Sequence, residues 1–248
     1  FERRLAAVEQ GGGPTTDDEL SSKVEAYLQE RELFDAEPRH AFVPSAGGLI
    51  DVSVIPDVTF GTSTATDAAL PTINLGDHDP RVRGTNVRNE ELVFTADVDP
   101  YFYGVLDVVF KLDEEGESTF ELEEAYAVTT SLPANLQLKV GQFLTEFGRT
   151  NPVHPHGWEF LQQPVILGRV FGGDGWRGQG ARVAWLVPRL PLRILAGFQN
   201  ARGETQAAFL GEEGAEVGAH VALDREVANL SDLAWHGRLE ASRDLGVH

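Results

Sequence analysis

From Glu90 to Phe143 the chain alternates apolar and polar residues with period two, and ionised groups stand in the middle of the polar side. Period two is the repeat of a β-strand, whose successive side chains point to opposite faces. Leu92, Phe94, Ala96 and Val98 share one face, and Val93, Thr95 and Asp97 share the other. After the Asp99-Pro100 break, Phe102, Leu106, Val108 and Phe110 oppose Asp107 and Lys111. Phe120, Leu122, Tyr126 and Val128 then oppose Glu121, Glu123 and Thr129, and Leu136, Leu138 and Val140 oppose Gln137 and Lys139. A globular sheet hides its oily face in a core and wets the other. A closed barrel in a bilayer reverses this, with lipid against the oily face and an aqueous lumen against the charged one. The recurrence of charge at mid-strand favours the barrel.

Four further strands fit the pattern. One runs from Gly48 to Thr62, with Pro56 marking an edge position or a bulge. Gly180 to Val187 sets Val183, Trp185 and Val187 against Arg182. Leu192 to Gln199 sets Leu192, Ile194, Ala196 and Phe198 against Arg193 and Gln199. Leu233 to Leu245 sets Trp235 and Leu239 against His236, Arg238 and Glu240. The connections alternate in character. Short, Pro-containing turns fall at 99–100, 131–135 and 188–191, and the others fall at 63–88, 113–117, 149–177 and 203–231. Short periplasmic turns facing long extracellular loops are the asymmetry of outer-membrane barrels. The expected fold is therefore all-β: an antiparallel transmembrane β-barrel over 48–248, eight of whose strands are visible. Asp244-Leu-Gly-Val-His248 reads as the entry to another turn, which predicts a larger barrel continuing past it.

An N-terminal segment, 1–47, precedes the barrel. Thr16-Asp-Asp-Glu19 is a capping-box pattern, and Leu20, Val24, Tyr27, Leu28 and Leu33 follow at helical spacing. This predicts a periplasmic amphipathic helix over 17–33, a surface for self-association or a partner chain. No signal peptide is visible at Phe1, so the chain reads as a mature product or a fragment. A net charge of −19 excludes a phosphate-binding, nucleic-acid-directed surface. The absence of cysteine excludes thiol catalysis and thiolate metal sites. One residue breaks the alternation. Glu124 follows Glu123 directly, and strict parity sends it outward among Leu122 and Tyr126 unless a bulge or an interfacial position relieves it.

Phe120-Glu-Leu-Glu-Glu-Ala-Tyr126, Leu132-Pro-Ala-Asn-Leu-Gln-Leu-Lys-Val-Gly-Gln-Phe143, Phe147-Gly-Arg-Thr-Asn151 and His154-Pro-His-Gly-Trp158 together resemble porin-like outer-membrane proteins of Gram-negative bacteria. The likeness is to those of the phosphate-selective porin type or of the zinc-regulated outer-membrane receptor type, and it spans about residues 90–200. It implies a barrel in the outer membrane, bounded by its lipid and with the N-terminus periplasmic, that passes or binds small solutes.

Candidate chemistry is sparse, and no enzyme is expected. His154-Pro-His156 admits a zinc site completed by Glu159 or Asp174, because imidazole suits zinc. The preferred reading is a rigid constriction loop in which His154, His156 and Trp158 stand in or over the pore, Trp158 and Phe160 being its anchors, with no metal and no cofactor. Phe171-Gly-Gly-Asp-Gly-Trp176 lacks the strand and helix of a phosphate cradle and reads as a flexible loop. The collective site is the lumen wall. Asp97, Asp107, Lys111, Glu121 and Glu123 point inward on one set of strands, and Lys139, Arg182, Arg193, Arg238 and Glu240 on the next. Such charged walls set ion preference in pores. The expected function is passive diffusion of small polar or ionic solutes. The alternatives are a non-conducting barrel in a surface complex and a soluble β-rich carbohydrate-binding protein.

Overall fold

The computed structural model describes residues 50–66, 68–73, 76–80, 82–112, 117–200, 216–217, 220–221 and 227–241. The predicted N-terminal helix and most of the 203–231 connection lie outside the described residues. Eight long strands form one antiparallel sheet: β1 (Asp51–Gly61), β2 (Gly84–Asp99), β3 (Phe102–Leu112), β4 (Ser118–Thr129), β5 (Leu136–Leu144), β6 (Arg177–Leu186), β7 (Leu192–Gln199) and β10 (Ala234–Ala241). Two-residue strands β8 (Glu216–Val217) and β9 (His220–Val221) pair with each other apart from it. The order β1-β2-β3-β4-β5-β6-β7-β10 follows the chain, each strand lying beside its predecessor. The sheet is open, with β1 and β10 as its edges, so the eight strands do not themselves close into a barrel.

The strands begin earlier than the alternation indicated. β2 starts at Gly84 and β6 at Arg177, because backbone pairing to β1 and β5 extends past the regularly alternating residues. The long connections carry short helices, α1 (Leu70–Ile73) and α2 (Val165–Phe171). Helix α2 starts beyond Pro164, whose carbonyl accepts from the Leu167 amide at 2.8 Å. It stops at Gly172, where φ is 97°.

Two register shifts decide what faces inward. Asp57 pairs with Asn89 but Val58 with Val87, so Arg88 is an extra residue on β2, and Arg88 and Asn89 are both buried. Asp107 pairs with Glu124 but Val108 with Leu122, so Glu123 is an extra residue on β4. A bulge re-aims side chains in this way. Glu124 accordingly turns inward beside Glu123 rather than outward, and Tyr126 and Val128, expected on the oily face, turn inward with it. Their partners confirm the change: Tyr126 lies opposite Gly141 and Val128 opposite Lys139. At Gly141 φ is +140°, and a Cβ there would come within 2.6 Å of the Tyr126 Cα, so the β4–β5 approach requires glycine.

The two faces differ sharply. Val54, Phe120 and Leu239 stand 69%, 79% and 73% exposed on one, with Val58, Phe110, Val140 and Trp235 among their neighbours in kind. The other face carries buried Glu91, Asp107, Glu123, Lys139, Arg182 and Arg193. Residues 145–176 are fastened to the strands on that side. The Thr145 amide donates to the Trp176 carbonyl at 2.8 Å, and Asn151 grips both ends, donating to Thr145 O and Trp176 O and accepting from the Trp176 amide. The apolar cluster is small: Leu167, Phe171, Trp176 and Ala234, with Val170 against it. Phe171 and Trp176 stack 5.1 Å apart, so the glycine-rich stretch between them is a packed turn and not a loose loop.

Candidate functional site

The charged face gathers its acids around one imidazole. His154 precedes the 155–157 turn of the 145–176 segment and reaches back to three strands. Its Nδ1 lies 3.1 Å from Glu123 Oε2, 3.7 Å from Asp107 Oδ2 and 3.8 Å from Glu91 Oε2. Its Nε2 lies 2.9 Å from Glu124 Oε2. The β4 bulge makes this possible, since without it Glu123 and Glu124 would face opposite ways. The acids are themselves held. Glu91 Oε1 accepts from Asn89 at 2.6 Å and faces His156 Nδ1 at 2.8 Å, and Glu124 Oε1 accepts from the Leu144 amide at 2.8 Å. Burial alone would lower the His154 pKa. The Glu123 carboxylate, with hydrogen bonds to Glu123 and Glu124, outweighs it and holds that pKa well above the ordinary imidazole value.

A second cluster adjoins through Glu123. His78 Nε2 lies 3.5 Å from Asp174 Oδ1 and 4.0 Å from Glu123 Oε1. Burial again works to lower its pKa, and the hydrogen bond and charge of Asp174, with Glu123, raise it above the usual value. This cluster is cross-linked by cations. Lys111 pairs with Asp77 and, at 3.0 Å, with Glu121; Arg177 pairs with Glu121 and, at 3.4 Å, with Asp174. Arg88 donates to the His78 carbonyl at 2.9 Å, tying the 76–80 turn to β2. Beside the second cluster lies a cavity of about 20 Å³ bordered by His78, Glu123, Asn151, Trp158 and Asp174, room for one water-sized occupant.

The remaining wall residues form separate pairs. Arg182 lies 2.6 Å from Glu146 and donates to Gln137 at 2.6 Å. Arg193 meets Glu240 at 3.3 Å, and Arg238 meets the same carboxylate at 2.5 Å while donating to the Glu146 and Gly148 carbonyls. Lys139 lies over the Tyr126 ring, 3.9 Å from its centroid. Asp97 is exposed at the end of β2 and joins no cluster, because a register shift between Asp97 and Asp99 ends the regular pairing there.

Of the residues the sequence singled out, Asp107, Glu123, His154 and His156 converge, and Lys111 and Glu121 join the second cluster. Trp158 is half-buried, donating to Val153 O at 2.7 Å and stacking on Phe160, which is itself exposed. Neither of the residues considered as completing a zinc site joins His154: Glu159 is exposed, and Asp174 belongs with His78 and Asp77. Two sets have ligand atoms within 4.8 Å of one another, Asp77 with His78 and Asp174, and Glu91 with Glu123 and His154. Glu91 was legible, being one strand repeat before Val93. Asp77-His78-Asp79, an imidazole between two acids, was a signal in the sequence as well.

A protein of Aquifex aeolicus (strain VF5), described as an uncharacterized protein, is 34% identical over 247 residues, an alignment covering 94% of this chain and 49% of the relative. The chain thus spans about half the length of the curated relative it matches. No family model and no solved structure matches it.

Proposed function

We propose that this chain forms part of the wall of an outer-membrane β-barrel of porin type, whose charged inner face passes small polar or ionic solutes and whose 145–176 segment is the constriction. The observation that supports it is the inversion of the sheet. Many of its aliphatic and aromatic side chains are exposed, while charged residues are buried on the other face among Val93, Val109, Phe143 and Leu195. Each large apolar side chain gains about 1.5–3 kcal/mol from leaving water. A broad, strand-borne apolar face open to solvent therefore calls for an apolar surrounding. Hydrocarbon supplies one along the whole sheet. In a chain of the Aquifex relative's length, further strands supply the closure that these eight lack, and with it an end to both sheet edges. The resemblance of residues 90–200 to porin-like proteins points the same way.

One observation favours a second reading, a non-conducting barrel that serves a surface complex. The charged face is sealed rather than wetted: Glu91, Asp107, Lys139 and Arg182 are each no more than 3% exposed. The test is made on the full-length protein. The reading expects extraction only with detergent, slower gel migration after boiling than before or the reverse, and stepwise conductance in planar bilayers. Detergent dependence without conductance selects the second reading. A protein that remains monodisperse without detergent sinks both and returns the soluble alternative.

A further inference from the structure

We propose that Glu91, Glu123 and His154, with Asp107 beside them, bind one divalent transition-metal ion on the charged face of the sheet. The geometry argues for it first. A four-coordinate ion with bonds of about 2.1 Å sets its ligand atoms about 3.4 Å apart. His154 Nδ1 faces three carboxylate oxygens at 3.1, 3.7 and 3.8 Å, one each from β4, β3 and β2. In metal-free protein the imidazolium answers these acids through Nδ1 toward Glu123 and Nε2 toward Glu124; an ion at the centre displaces the Nδ1 proton alone and leaves the Nε2 hydrogen with Glu124.

The unfilled atoms are a separate observation. Glu91 is 1% exposed, and its Oε2, the oxygen that faces His154 Nδ1, accepts no hydrogen bond; Asp107, equally buried, faces Nδ1 with Oδ2 and leaves Oδ1 unfilled. Buried carboxylate oxygens are costly in that state. The supporting shell resembles that of a metal centre, where a ligand histidine gives its other nitrogen to a carboxylate and ligand carboxylates are themselves held. Here Glu124 takes Nε2, and Asn89 and His156 hold Glu91 through Oε1, leaving Oε2 for the centre. The cluster around His78 also has convergent acids, but Lys111 and Arg177 already lie against them and leave less charge for an ion to answer. One imidazole with carboxylate oxygens suits zinc or manganese, and a harder ion such as magnesium would favour oxygen alone.

The site stands whether or not the sheet lies in a membrane, and its test reads binding rather than conductance. Full-length protein stripped by chelator is titrated calorimetrically with Zn²⁺ and, separately, Mn²⁺. The expected result is one ion per chain. Glu91→Gln and Glu124→Gln each weaken binding on the order of 10- to 100-fold, as losses around a metal do. Asp77→Asn, in the neighbouring cluster, leaves affinity unchanged. X-ray absorption on the zinc-loaded wild-type protein guards against variants that misfold, and should show one imidazole among about four nitrogen or oxygen ligands. No saturable binding, an all-oxygen shell, or affinity unmoved by Glu91→Gln overturns the proposal.

Discussion

The two faces of the sheet obey opposite rules. On the outer one, apolar side chains such as Val54, Phe120 and Leu239 stand open; on the inner one, Glu91, Asp107 and Arg182 are sealed at 1% exposure. The outer face contributes little within the chain and depends on its surroundings. The inner face depends on internal pairing, since a buried charge without a partner costs several kcal/mol. It solves that problem differently at its two ends. Across β5, β6, β7 and β10, guanidinium or ammonium groups answer acids and rings: Arg182 with Glu146, Arg193 with Glu240, Lys139 over Tyr126. Across β2, β3 and β4, four carboxylates converge on one imidazole. The first sets a cation against each acid, although Glu146 and Arg193 keep atoms without hydrogen bonds; the second sets four carboxylates against one imidazole, an excess of acid that a cation would answer.

The largest effect should come from breaking a pair on the cation-paired side. Arg182→Met leaves Glu146 buried without the cation 2.6 Å away, and the expected loss is about 3–5 kcal/mol of stability. Adding Glu146→Gln should restore most of it, because the stranded charge is then removed. Denaturant unfolding of the three proteins measures this. A double variant no more stable than Arg182→Met would mean that packing, not charge pairing, holds this face.

Next in size is a charge placed on the outer face. Leu106 is 38% exposed there, with Phe94 opposite on β2. In a bilayer, Leu106→Arg should cost about 2–4 kcal/mol if the site lies near the midplane. In water, an exposed substitution of this kind stays within about 0.5 kcal/mol. Folding yield into lipid vesicles separates the two, and an unaffected yield would remove hydrocarbon from the outer face.

Much of this contrast was readable from parity. Asp107, Glu121, Lys139, Arg182 and Arg193 face inward because a strand's repeat leaves no other choice once the oily face is known. The bulges were legible only as alternatives: the Glu123-Glu124 adjacency admitted a bulge or an interfacial position, and Pro56 an edge position or a bulge. Parity alone does not choose between them; the pairing does, making Glu123 supernumerary, which brings Glu124 in and turns Tyr126 and Val128 with it. Contacts made by connecting segments escaped for a different reason. His154 meets β2, β3 and β4 through ring nitrogens whose positions depend on how 145–176 folds back. Spacing within His154-Pro-His156 carries no information about that. Trp176 and Phe171 likewise stack only because Gly172 and Gly175 adopt positive φ, at 97° and 71°.

The acid-rich end of the inner face should also respond to pH in metal-free protein. The groups facing His154 are Glu91 from β2, Asp107 from β3, Glu123 and Glu124 from β4, and His156 on its own segment. Its folded pKa lies well above 6.5, so its contribution to stability is complete below about pH 6.5. That contribution is lost as pH rises through the folded value. Melting temperature should therefore fall from pH 6.5 into the alkaline range, and the fall should be shallower in His154→Gln. Parallel curves for the two proteins would place the pH response elsewhere.

The smallest effect concerns the rim, where the 145–176 segment meets solvent. Trp158 donates to the Val153 carbonyl at 2.7 Å and stacks on Phe160 at 6.0 Å. Trp158→Phe keeps an aromatic surface and removes one hydrogen bond within the segment, worth about 0.5–1.5 kcal/mol. Stability should drop by that much, with metal affinity unchanged, because the Trp158 indole donates to Val153 and not to a carboxylate around His154. A loss as large as that of Arg182→Met would show that the segment hangs from its aromatic anchor rather than from the buried imidazole. The inner face would then be held at its edge instead of at its centre.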